Sequence, residues 1–61
     1  FMIKQIVEVS AGMFVIPNID QRDLEKDTVY QVLHDDAYVL RVDDFSLVPY
    51  YGDELVEILP H

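Results

Sequence analysis

Short apolar bursts separated by polar turns run the length of this chain, and the pattern reads as β throughout. Ile3 to Val9 is β-branched and partly alternating, as a half-buried strand should be. Ser10-Ala11-Gly12 interrupts it, with Gly12 supplying a bulge or tight bend. Met13 to Ile16 continues as a second short strand or as the far half of a bent first one, and Pro17 removes a ladder donor and stops it. Three strands then follow in close order. They are Thr28 to Leu33, Ala37 to Val42 and Phe45 to Tyr51, joined by the polar turns His34-Asp35-Asp36 and Asp43-Asp44. Gly52-Asp53-Glu54 makes a last turn, and Leu55 to Leu59 closes the chain. Within Ala37 to Val42, alternation places Tyr38, Leu40 and Val42 on one face and Val39 and Arg41 on the other. The expected core is Ile6, Val7, Tyr30, Val32, Leu40, Val42, Phe45, Leu47, Val56 and Ile58.

The longest polar stretch, Asn18 to Asp27, carries only Ile19 and Leu24 as apolar anchors. A helix needs more of an apolar face than that. The stretch therefore predicts an extended, folded-back loop with at most one helical turn, which Asp20 would cap with Asp23 three residues on. Five or so short antiparallel strands, tight turns and one long polar loop give an all-β class, a small barrel or rolled sheet. All 61 residues form one domain, and Phe1 reads as a residue left ahead of a native initiator Met2.

The order of these elements resembles the SH3-like barrel. Pro17–Asp27 matches its long hairpin loop, His34–Asp36 the next loop, Asp43–Asp44 the tight distal hairpin, and Pro49–Glu54 the short turn before the last strand. Residues 28–59, including Val29-Tyr30-Gln31-Val32-Leu33 and Leu55-Val56-Glu57-Ile58, are similar to small stand-alone SH3-like proteins of phages and Firmicutes. That resemblance implies a non-catalytic binding module. Within it, small acidic proteins that bind and inhibit a host nucleic-acid enzyme, some by mimicking DNA, form the nearest functional class. Proline-motif binding is the family's other use, but this chain lacks Trp and the paired aromatics at the start of the long loop.

Charge sharpens the choice of partner. Twelve acids face four bases, for a net charge of −8. Lys4, Arg22, Lys26 and Arg41 are scattered singly among acids, whereas a phosphate backbone or an anionic membrane needs them clustered. A basic protein surface is the electrostatic complement. The candidate partner surface is Asp20, Asp23, Glu25, Asp27, Asp35, Asp36, Asp43 and Asp44, with Tyr51 as aromatic anchor. Adjacent tyrosines on a strand face opposite ways, so one of Tyr50 and Tyr51 can pack inward while the other stands exposed. Two simpler readings compete: the acids only keep a small hydrophobic domain soluble, and both tyrosines pack in the core or at the sheet edge. An assembly subunit that forms a homo-oligomer is the alternative from another functional class.

Catalytic and metal chemistry find little support. The pairs Asp35-Asp36, Asp43-Asp44 and Asp53-Glu54 fall in turns, where neighbouring carboxylates point apart into water. No calcium-loop pattern, phosphate loop or nucleophile motif is present, and the only histidines are His34 and His61. Cysteine is absent, which removes disulfides, thiolate ligands and thiol nucleophiles. No cofactor or metal is expected. Apolar runs such as Met13-Phe14-Val15-Ile16 fall far short of the ~20 residues that span a bilayer, and no secretory signal is visible, so the expected location is the cytoplasm.

Overall fold

A computed structural model describes residues 2–33 and 37–60. The fold is all-β and barrel-like. Six strands form one antiparallel sheet: β1 (Ile3–Gln5), β2 (Phe14–Pro17), β3 (Tyr30–Val32), β4 (Tyr38–Arg41), β5 (Ser46–Pro49) and β6 (Leu55–Ile58). Their order across the sheet is β1-β6-β2-β3-β4-β5. Principal extents of 25 × 21 × 21 Å show that the sheet curls around its core rather than lying flat.

Each expected strand is present, the second shifted by one residue at equal length and the others shorter than their apolar runs. The first is cut at Gln5, because the next residues wind into a 3-10 turn over Ile6–Glu8. There the Ile6 N–H donates to the Glu54 carbonyl and the Val7 N–H to the Gly52 carbonyl. These bonds hand the backbone from the β6 ladder to the segment before it and point Ile6 into the core. Gly52 sits at φ +115°, a backbone conformation that residues with a Cβ rarely adopt, so this crossing is built on glycine. Pro17 is the buried last residue of β2 and pairs with Val56; it ends the strand as expected, from within it.

Two rows of side chains cross the sheet in register and define its faces. Val32, Val39 and Val48 oppose one another across β3, β4 and β5 on the inner face. Phe14, Gln31, Leu40 and Leu47 do the same on the outer face from β2 to β5. The buried core is Ile6, Val9, Val15, Leu24, Tyr30, Val32, Val39 and Val56, with Met13, Val48, Tyr50 and Ile58 packed against it.

This corrects half of the expected core. Val7 stands in the 3-10 turn and Leu47 on the outer face of β5, at 62% and 60% exposure. Phe45 lies within the 42–45 turn rather than in a strand, and its side chain points to solvent. Leu40 and Val42 are only half-buried, because β4 turns Val39 inward instead. Register with Val32 and Val48 sets that face, and β4's own sequence is apolar on both. Val9, Val15, Leu24 and Val39, absent from the expected set, are buried in the core.

Candidate functional site

The long loop from Asn18 to Val29 is tied down at almost every turn. Its base closes through the Asp27 N–H to the Pro17 carbonyl, and its tip through reciprocal 2.9 Å bonds between Gln21 and Leu24. Asp20 caps the loop from within, accepting the Lys26 N–H at 2.8 Å. The expected helical turn does not form, and Asp20 caps a folded-back turn instead. Leu24 is fully buried beneath the loop, and the Tyr30 hydroxyl accepts the Glu25 N–H at 2.8 Å. Ile19, the other apolar anchor, is exposed.

Two polar clusters hold this loop against its neighbours. The first lies along the segment before β6. The Gln21 side-chain amide accepts from the Leu55 N–H at 2.7 Å and donates to the Leu55 carbonyl at 2.8 Å, mimicking one more residue of β-ladder. Arg22 makes a two-pronged contact to Asp53, lies 3.7 Å from Glu54 and stacks 4.8 Å from the Tyr51 ring centre. Its backbone sits at φ +51°, which the reciprocal Gln21–Leu24 turn imposes. Glu54 is only 1% exposed. Its carboxylate accepts the Tyr51 N–H at 2.9 Å and the Gly52 N–H at 2.8 Å, so it acts as a buried cap on the turn rather than a surface charge.

The second cluster joins the long loop to the tip of the β4–β5 hairpin. Arg41 contacts Glu25 through Nη1 and Asp43 through Nε, each at 3.0 Å. Asp44 accepts from the Ser46 hydroxyl at 2.7 Å and from the Ser46 N–H at 3.1 Å, closing the turn.

These contacts set the local titration. The hydrogen bond from Arg22 holds Asp53 below the usual carboxylate range, and the Asp53 partner in turn raises the Arg22 guanidinium. The Ser46 hydroxyl, followed by the Ser46 N–H, holds Asp44 low as well. Because the Asp53 value is depressed, its pairing is complete above the ordinary carboxylate range and is lost as pH falls through the lowered value. Arg22 and Asp53 are both solvent-exposed, so this pair positions the loop more than it stabilises the fold.

The expected acidic surface is thus divided. Glu25 and Asp43 pair with Arg41 and Asp44 closes the hairpin turn on Ser46, while Asp20, Asp23 and Asp27 stand exposed along the loop. Asp35 and Asp36 lie outside the described residues. Tyr51 is 69% exposed but belongs to the Arg22 clamp, while Tyr50 packs against the core. Both arginines are engaged by the chain's own acids. The Arg22–Tyr51–Asp53–Glu54 cluster was not legible in the sequence, where Asp53 and Glu54 read as a solvated turn. Among the described residues no three His, Asp or Glu side chains converge as metal ligands, and no helix is long and apolar enough to cross a membrane. No protein family, curated protein or solved structure matches the chain.

Proposed function

We propose that this protein is a non-catalytic interaction module whose acidic surface receives a basic-surfaced protein. The observation that supports this most is the disposition of charge. Arg22 and Arg41 are neutralised internally, while Asp20, Asp23 and Asp27 face solvent on a loop held rigid by its own hydrogen bonds. A rigid negative surface attracts a cationic partner over a Debye length of about 10 Å at 0.1 M salt and holds its shape on contact. A nucleic-acid enzyme, with its cationic cleft, is the partner class that the charge favours, in keeping with the inhibitory phage-protein resemblance. DNA mimicry is the narrowest form of this reading, and duplex DNA would then compete with the protein for its partner.

Affinity capture on the immobilised protein tests the reading. Proteins bound at ~50 mM salt and released by ~300 mM should be basic, because screening shortens the reach of the acids. The protein itself should be monomeric and should not retard duplex or single-stranded DNA in a gel at ~150 mM salt. Recovery only of neutral or acidic proteins, or a stable homo-oligomer, would contradict it. The second of those outcomes would favour the assembly role.

A further inference from the structure

Phe45 is placed where its side chain is mostly exposed, although its N–H closes the hairpin onto the Arg41 carbonyl. Its backbone sits at φ +58°, inside the 42–45 turn. A left-handed position at the end of such a hairpin loop suits glycine or asparagine, and a bulky side chain there crowds its own carbonyl. The residue is also 76% exposed. Strain and solvated apolar area both oppose folding, and strained residues of this kind gather at functional surfaces. Behind Phe45 the outer face of the hairpin continues the apolar surface: Leu47 opposite Leu40, and Tyr38 opposite Pro49. Leu47 and Tyr38 are both exposed.

The charge around this tip identifies what could cover it. Asp43 and Asp44 directly precede Phe45, and Glu25 reaches in from the long loop; Glu25 and Asp43 share Arg41 while Asp44 bonds to Ser46, so three carboxylates face one guanidinium and the tip stays negative. A second copy of the chain would bring the same acids and another −8 of net charge against them. Addition of a partner strand is also disfavoured. The Tyr50 N–H bonds back to the Ala37 carbonyl, which turns the Pro49 nitrogen, with no hydrogen to donate, toward the free edge of β5.

We propose that the β4–β5 hairpin tip, with Phe45 as the anchor and Leu47 and Tyr38 behind it, docks onto an apolar patch ringed by lysines and arginines on a partner protein. This rests on the interaction-module reading and adds to it the point of contact. Tyr51 then serves to hold the long loop through Arg22.

The test uses two defined probes, a lysine–leucine amphipathic peptide and an oligolysine of equal charge, titrated into the full chain at ~50 mM salt with NMR detection. The amphipathic peptide should shift the amides of residues 38–48, and Phe45→Asn should weaken its binding about tenfold or more. Tyr51→Ala should leave that binding unchanged. Oligolysine should bind weakly and equally to the wild type and to the Phe45→Asn variant. The unfolding midpoint of Phe45→Asn should match or exceed that of the wild type, because the strain is relieved. Equal binding of the amphipathic peptide to both proteins would overturn the proposal, as would a lowered midpoint. Self-association through residues 38–48 would overturn it too, by making a second copy the occupant. Failure of oligolysine to bind at all would remove the acidic-module reading itself. Oligolysine binding combined with peptide binding that ignores Phe45 would remove this inference alone.

Discussion

Leu24→Ala should cost about 2–5 kcal/mol, the range for truncating a buried leucine in a packed site. For 61 residues the expected total stability is only about 3–9 kcal/mol, so this one change leaves the protein near its unfolding threshold. Leu24 is fully buried although it lies in the most polar stretch of the chain. It fills space under a loop that Gln21, Asp20 and the Tyr30 hydroxyl hold in place. Ile19→Ala, five residues earlier and exposed, should shift the urea midpoint little by comparison. Equal effects at the two positions would mean that the loop is not packed as described.

Glu54→Ala should have the next largest effect. It leaves the Tyr51 and Gly52 N–H groups without their acceptor. Stranding two such donors costs about 2–4 kcal/mol when the buried one bears most of the penalty. Glu54→Gln keeps one acceptor oxygen in the same shape and should recover a substantial part of the loss in a denaturant titration. A wild-type midpoint for Glu54→Ala would show that the turn satisfies its donors with water instead.

These two residues mark the limits of what the sequence reveals. Strand existence was legible throughout, because most apolar runs are bounded by Gly, Pro or paired acids. Strand faces were less so. Ala37 to Val42 is apolar on both sides, and only its register with Val32 and Val48 turns Val39 inward. Phe45 was misplaced because Asp43-Asp44 suggested a two-residue turn, whereas the hairpin spends residues 42–45 on its loop. Leu24 could be noticed as one of two apolar anchors, but its complete burial depends on a loop whose path is set by the N–H groups that Asp20 and Tyr30 accept and by the Gln21–Leu24 bonds. Nothing local distinguishes Glu54 from Asp53. One is buried as a cap and the other is exposed to an arginine from a residue 31 positions away, a distinction made by tertiary contact alone.

The acids of the long loop and the hairpin tip were legible as candidates, and the structure adds which of them are occupied. Glu25 and Asp43 share Arg41, and Asp44 closes its own turn. Asp20 accepts the Lys26 N–H through one oxygen and remains exposed, with Asp23 and Asp27 nearby. Long-range attraction depends on net charge more than on these local bonds, so under the proposed reading these internal pairings leave steering of a basic partner intact.

Association kinetics with the captured basic partner test the central claim most directly. Raising salt from ~50 to ~300 mM should slow association several-fold and change dissociation much less, because screened charges steer encounter more than they hold the complex. Reversing Asp43 and Asp44 to lysine should slow association in the same way at low salt. An association rate indifferent to salt would contradict the account and leave the acids with no role beyond solubility.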